Sequence, residues 1–314
     1  MTKKLGVVMD PIGSISYKKD STLAMLFEAS KRGYEIYYFE QHDLFLQDGV
    51  PYGDAKILRV EQNPSSWFSF YGEKRITLDM LDLILMRKDP PFNQQYIYTT
   101  YILEYAERLG VLVVNRPGSL RDANEKMFAM DFKGYIPHTL VSQSIEKLRE
   151  FWKKEQDIVC KPLDTMGGTS VFRLMPHDVN ANVIFSELTQ DETIYIMAQK
   201  FIPEIAKGDK RILIIDGEPF SHALARVPEG HDWRGNLAVG AKGIVQELAP
   251  RDREIAEDVG RVLQSRGIYF AGIDIIGDYL TEINITSPTG IRELDDALSV
   301  NICSTLFERL EQYF

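Results

Sequence analysis

Four short apolar runs, at residues 5–9, 35–39, 81–86 and 111–114, restrict this chain more than any other feature. Compact runs with few polar interruptions suit strands buried on both faces, because a half-exposed strand would alternate. The segments between them have helical spacing and helical ends. Asp20 or Ser21 can cap a helix running to Lys31 that Gly33 ends, and residues 96–109 read as a helix closed by Gly110. Strands alternating with helices imply a parallel sheet covered on both sides. Residues 1–122 are therefore expected to form an open α/β domain, with a mixed pattern around 57–70. Asn115-Arg116-Pro117-Gly118 carries turn chemistry and marks a boundary. Ser119-Leu120-Arg121-Asp122 has capping-box spacing, with Asp in place of Glu or Gln.

Further strands are expected at 158–161, 170–174, 194–199, 211–215 and 223–227. Residues 227–243 hold four glycines, a proline and a tryptophan with little periodicity, which reads as a long binding or lid loop. Residues 250–267 give the clearest helix: Ile255, Val259, Val262 and Leu263 share a face, with Pro250 at its start and Gly267 past its end. A length of 314 residues suggests two domains or three small ones. Hydrophobic residues at 44% and charged residues at 26% exclude a disordered or fibrous chain. Two cysteines cannot make a disulfide framework and point to a reducing compartment. No apolar run reaches the ~18 residues of a membrane span, and the first one ends at Asp10, too early for a signal peptide. The expected address is the cytoplasm, with no membrane partner. A net charge of -10 argues against nucleic acid as a partner.

No P-loop, His-Glu-x-x-His, Cys-x-x-Cys or Gly-x-Ser-x-Gly motif is present, and the first strand ends in Asp10-Pro11 rather than a glycine-rich dinucleotide turn. The segment Asp164-Thr165-Met166-Gly167-Gly168-Thr169-Ser170 joins two expected strands. It is either a plain hairpin or a nest of N–H groups for a phosphate, with hydroxyls from Thr169 and Ser170. Lys161, just before it, is either a snorkelling surface lysine or a charge aimed at that phosphate. Residues 197–202 are either a core strand or a slot for a nucleobase. Glu282 and Asn284 are two apart and share one face of a strand, a donor pair suited to Mg²⁺. Asp274 joins them only if the hairpin pairs it with Glu282, and an odd loop of Gly277-Asp278-Tyr279 is expected to set that register. A solvated polar face is the competing account of the same pattern.

Together these segments resemble the bacterial-type glutathione synthetases, a family of ATP-grasp ligases. The likeness runs through Val8-Met9-Asp10-Pro11-Ile12, Leu85-Met86-Arg87-Lys88-Asp89-Pro90-Pro91-Phe92, Asn124-Glu125-Lys126, Lys161-Pro162-Leu163-Asp164, Gly208-Asp209-Lys210-Arg211, Arg234-Gly235-Asn236-Leu237-Ala238 and Thr281-Glu282-Ile283-Asn284 to Ser287-Pro288-Thr289. It implies an α/β ATP-grasp fold behind an N-terminal Rossmann-like domain, divided as 1–122, a central lobe at 123–200 and a C-terminal lobe at 201–314 with the lid loop 227–243. It implies that Lys126 and Lys161 hold ATP phosphates under Gly167, Gly168, Thr169 and Ser170. Gln199, Lys200, Phe201 and Ile202 would line the adenine, and Asp209 would lie near the ribose. Asp274, Glu282 and Asn284 would bind Mg²⁺, or Mn²⁺ in its place. Asp10, Arg87, Ser287 and Thr289 would face the substrates γ-glutamylcysteine and glycine, and the assembly would be a homotetramer.

The implied chemistry asks for more. A carboxylate must be phosphorylated before an amine can displace its oxygen, and both steps build negative charge. Arg211, Arg226 and Arg234 are the candidate stabilisers, with Asn236 beside the last. An acyl phosphate hydrolyses in open water, which gives the loop at 227–243 its purpose. Cys160, in an apolar strand, reads as packing rather than a nucleophile. Two other accounts compete: an ATP-grasp ligase for a different acid and amine, and a nucleotide-binding regulator without chemistry.

Overall fold

A computed structural model describes residues 2–229, 235 and 241–314 of the chain. Its first sheet holds β1 (Lys4–Val8), β2 (Glu35–Phe39), β3 (Leu44–Gln47), β4 (Val50–Val60), β5 (Phe68–Thr77), β6 (Leu83–Met86) and β7 (Leu112–Val114). The order is β3-β4-β2-β1-β6-β7, with β5 outside β4. The four expected strands are mutually parallel, as their apolar runs require. The sheet as a whole is mixed, because β4 adds antiparallel to β2, and β3 and β5 each pair antiparallel with β4. The mixed pattern at 57–70 is thus the end of β4, a turn and the start of β5. An edge strand exposed along most of its length has no apolar run to announce it.

Two helices, α1 (Ser21–Lys31) and α2 (Gln94–Arg108), cover this sheet. Their starts are fixed by side chains: Asp20 accepts the Leu23 N–H at 2.6 Å, and Asn93 accepts those of Gln95 and Tyr96 at 3.0 Å. The turn expected at Pro117-Gly118 and the cap expected at Ser119 are both inside a helix. Pro117 opens α3 (Pro117–Asp122) at its first turn, and the Ser119 hydroxyl donates to the Arg266 carbonyl instead of capping.

The second sheet is antiparallel, in the order β10 (Phe172–Leu174), β9 (Ile158–Pro162), β11 (Ile196–Lys200), β8 (Thr139–Ser142). It packs α4 (Ile145–Glu155) and α5 (Ala181–Thr189) around a small core of its own that includes Leu148, Cys160, Phe185 and Ile196.

The third sheet runs β14 (Lys242–Glu247), β13 (Glu218–Val227), β12 (Asp209–Ile215), β15 (Phe270–Ile276), β16 (Tyr279–Asn284). Beside it lie α6 (Pro250–Ser265), α7 (Ile291–Leu298) and α8 (Ile302–Leu310), the last two unannounced by the sequence reading. This sheet does not form a separate core. Ile212, Ile273 and Ile283 share one cluster with Met86 and Val113, while Leu213 and Phe270 share another with Leu5 and Leu85. Buried Asn115, just after β7, joins the two sheets by donating to the carbonyls of Phe270 at 2.7 Å and Ile285 at 2.6 Å and accepting the Phe270 N–H at 2.9 Å. The first and third sheets therefore form one body, with the central lobe packed around a separate core.

Candidate active site

The hairpin of β15 and β16 sets the geometry. It closes with a two-residue turn at Gly277 and Asp278, where Gly277 has φ 57° and Ile276 pairs with Tyr279. Continued without interruption, that register would oppose Asp274 to Thr281 and turn Glu282 to the other face. A β-bulge absorbs the difference: Ile275 pairs with Leu280, Asp274 with Glu282 and Gly272 with Asn284, leaving Thr281 as the extra residue. The expected pairing is present, but the expected three-residue loop is not. A tight turn keeps Tyr279 in the ladder, and Thr281 stays anchored through its hydroxyl, which donates to the Asp274 carbonyl at 3.1 Å.

Two arginines reach this face from the neighbouring strands. Arg211 on β12 stands opposite Asp274 and forks onto it at 2.5 and 2.9 Å. Arg226 on β13 sends Nη2 to Asp209 at 2.5 Å and to Asp274 at 3.0 Å. Asn284 donates to Asp274 Oδ2 at 3.1 Å and to the Gly272 carbonyl at 3.2 Å, which leaves its Oδ1 for a ligand. Burial opposes ionisation of Asp274, but the two guanidinium groups outweigh it and hold the carboxyl at about 2. Asp209 goes the other way: burial, with the nearby charges of Asp274 and Glu282, pushes it to about 7 despite Arg226.

The central lobe supplies the lysines. Alternation along β9 turns Cys160 into the small core and Lys161 outward, where its Nζ lies 3.3 Å from Glu282. Lys126 donates to Glu125 at 2.7 Å and to the Thr165 carbonyl at 2.6 Å, fastening the glycine loop. Burial works against the Lys126 charge, but Glu282 and Glu125 overcome it and raise its pKa. Between β9 and β10, Gly167 and Gly168 have φ of 67° and 77°, and Ser170 has φ 56°. Glycines at positive φ let such a loop turn its backbone N–H groups toward an anion.

These groups enclose two adjoining cavities that share Glu282 as a wall. The larger, about 420 Å³, is lined by Gly167, Arg211, Arg226, Asp274, Asn284, Ser287 and Thr289. The smaller, about 100 Å³, is lined by Lys161, Gly168, Gln199, Lys200, Phe201, Ile202 and Asp209. Lys161 and the oxygen donors near the end of the chain thus meet in one cleft, while Lys126 lines neither cavity and is buried beside it against Glu125 and the Thr165 carbonyl. Thr169 and Ser170 belong to the glycine loop without lining either cavity. Arg87 does not face the cleft: it is buried behind it, donating to Thr22 Oγ1 at 3.1 Å and to the Pro288 carbonyl at 3.0 Å. Asp10 lies in a separate crevice, paired with Lys88 at 2.8 Å. Arg234, Asn236 and most of the loop at 227–243 lie outside the described residues. Glu125, which lines the larger cavity, is a site residue that the sequence reading passed over although it adjoins Lys126. Burial, and then Glu282, raise its pKa.

The donor set fits a magnesium ion. Among the described residues no three His, Cys, Asp or Glu side chains make a complete metal cage. Mg²⁺ needs none, since it binds one or two carboxylates and takes its remaining ligands from phosphates and water. Glu282, Asp274 and the free oxygen of Asn284 supply that incomplete set, and the like charges crowding Glu125 mark where a cation is wanted.

Comparison with known proteins agrees with this architecture. The model "Prokaryotic glutathione synthetase, N-terminal domain" matches residues 3–121, and "Prokaryotic glutathione synthetase, ATP-grasp domain" matches residues 125–299. Glutathione synthetase of Escherichia coli strain K12 is 51% identical over 308 residues, 98% of each chain. That of Pseudomonas aeruginosa is 52% identical over 310 residues, 99% of this chain and 98% of its own. Among solved structures, the ATP-grasp ligase PsnB with a minimal precursor aligns over 100% of both chains with a TM-score of 0.65 at 18% identity. D-cycloserine synthetase DcsG aligns over 98% of this chain and 99% of its own with a TM-score of 0.63 at 14% identity. The distant structures carry the fold, the close relatives carry the lineage, and the chain belongs to the prokaryotic glutathione synthetase family of ATP-grasp ligases.

Proposed function

We propose that this chain is an ATP-dependent carboxylate–amine ligase that joins γ-L-glutamyl-L-cysteine to glycine, giving glutathione, ADP and phosphate. The observation that carries the reading is the meeting of Lys161 from the central lobe with Glu282, Asp274 and Asn284 of the third sheet across one two-chambered cleft.

The chemistry follows from the leaving group. Oxide cannot leave a carboxylate, so the cysteinyl carboxylate takes the γ-phosphoryl of ATP and becomes an acyl phosphate. The glycine amine then attacks the carbonyl, and phosphate departs. In our reading adenine occupies the smaller cavity against residues 199–202, with the ribose at Asp209. The phosphates extend past Glu282 toward Lys161, Lys126 and the loop at 167–170. Asp274, Glu282 and Asn284 would hold Mg²⁺, or Mn²⁺ in its place, which when bound neutralises phosphate charge and polarises the γ-phosphoryl. Arg211 and Arg226, held in place by Asp274, take up charge on the transferring phosphoryl and on the tetrahedral oxyanion. Ser287 and Thr289 offer polar contacts to the dipeptide in the larger cavity. We assign residues 1–122, 123–200 and 201–314 as the working units. Family membership, together with two buried free cysteines, supports a cytoplasmic address, and the same membership supports a homotetramer. Among the described residues no helix is long and apolar enough to cross a membrane.

The test is phosphate release with γ-glutamylcysteine, with and without glycine. Release that needs both supports the reading. Release only with other acids assigns a different ligase, and nucleotide binding without turnover assigns a regulator. Glu282→Gln is expected to lower turnover on the order of 10²-fold and to raise the Mg²⁺ concentration needed for half-maximal rate. A variant with undiminished activity and the same Mg²⁺ requirement would remove Glu282 from the metal site.

A further inference from the structure

A cavity of about 490 Å³ in the N-terminal domain is not part of the cleft. It lies where the order of the parallel strands in the first sheet reverses. The chain runs from β1 to β2 on one side, and later to β6 on the other. In open α/β sheets such a switch point, beyond the carboxyl ends of the strands, is the usual place for a ligand. Here Asp10 and Pro11 follow β1, Glu40 and His42 follow β2, Lys88 follows β6, and all five line the crevice. Its apolar side is made by Met9, Leu44 and Ile102.

The chemistry rules out the common occupant. A nucleotide phosphate at a switch point is held by free N–H groups of a glycine-rich turn. In this chain Pro11 has no N–H, and Asp10 presents a carboxylate whose Oδ2 already accepts the Asp89 N–H at 2.9 Å. The crevice instead carries charges of both signs. Lys88 gives one ammonium proton to Asp10, at 2.8 Å, and one to the Asp89 carbonyl, at 2.6 Å, which leaves the third for a ligand anion. Glu40 is oriented by the Tyr38 hydroxyl at 3.0 Å and is placed to accept from a ligand ammonium. We infer that this crevice is a second small-molecule site, separate from the reaction cleft, that takes the zwitterionic head of a free α-amino acid with its chain on Met9, Leu44 and Ile102.

Methionine methyl groups report on the two sites separately, because Met9 lines the crevice and Met166 lines the reaction cleft. The full chain labelled with [ε-¹³C]methionine is titrated with L-norleucine, then with hexanoate and pentylamine, which each lack one charge of the head. The Met9 signal is assigned by its loss in Met9→Leu. Norleucine is expected to shift Met9 saturably and leave Met166 in place, with both single-charge analogues weaker by about tenfold or more. Glu40→Gln, which keeps the Tyr38 contact, is expected to weaken norleucine to a similar degree without changing ligase turnover. The proposal is overturned by movement of Met166 alone, by no saturable shift of Met9, by hexanoate or pentylamine binding as well as norleucine, or by unchanged binding in Glu40→Gln. Ligase turnover, read in the same samples, is untouched by any of these outcomes, so the proposed reaction and this site fail separately.

Discussion

Both ends of the Arg211 guanidinium are in use. Nε and Nη2 fork onto Asp274, while Nη1 reaches the Thr289 carbonyl at 3.3 Å. One side chain thereby fixes a metal-site carboxylate and the loop that borders the larger cavity. Lysine carries the same charge but has no fork, so Arg211→Lys should leave Asp274 less restrained and the loop untied. The expected result is a fall in kcat/KM of about 10²–10³-fold, as for loss of a preorganised donor, with an unchanged far-ultraviolet dichroism spectrum. Wild-type kinetics in this variant would show that the fork is dispensable. Asn115 is the structural counterpart. Its amide makes three buried hydrogen bonds between the first and third sheets. Asn115→Ala strands two carbonyls and one N–H, and should cost about 2–4 kcal/mol in urea unfolding.

At the scale of elements, what could be read in advance depended on whether a local signal decided the outcome. The parallel strands were legible because their apolar runs reflect burial on both faces, and α1 was legible from Asp20. The β4–β5 hairpin was not, because β5 is an edge strand exposed over most of its length. The pairing of Asp274 with Glu282 was legible as a requirement of the chemistry, but not its means, since nothing in the string Tyr279-Leu280-Thr281-Glu282 signals a bulge. The Lys126–Glu125 pair was missed as a pair for a related reason: neighbours in sequence give no distance to Glu282. The turn from α7 to α8 yields a prediction of its own. Asp295 accepts the Ile302 N–H at 2.9 Å. Burial, aided by Asp296, raises its pKa to about 6, against the opposing pull of that N–H. The folded state therefore keeps a proton that the unfolded state releases. This stabilisation is complete below pH 3.8 and is lost as pH rises through about 6. Asp295→Asn keeps an oxygen for Ile302 and has no charge to bury. It should flatten the stability profile between these pH values and raise stability at pH 7 by about 1 kcal/mol after allowance for solvent screening. Urea titrations at pH 4 and pH 7 check this, and equal gains at both would rule out the carboxylate as the cause.

The whole molecule divides unequally. The third sheet buries its faces in clusters shared with the first, so those two sheets should unfold together. The central lobe depends on its own small core, in which Phe185 is fully buried and meets Trp152 edge-on at 6.3 Å. Sequence periodicity could locate these elements but not this partition, because which sheets share a core is a property of contacts far apart along the chain. Phe185→Ala should remove about 3–5 kcal/mol from the lobe that it packs. Hydrogen exchange in β8, β9 and β11 should then accelerate on the order of a hundredfold or more, while β1, β12 and β15 keep their protection. In our reading the nucleotide touches Lys161 and residues 199–202 of the native lobe, so ATP with Mg²⁺ should restore part of the lost protection by mass action. Uniform acceleration across all three sheets would mean that the lobe has no independent core stability. No recovery in β8, β9 and β11 would mean that the nucleotide does not engage the central lobe.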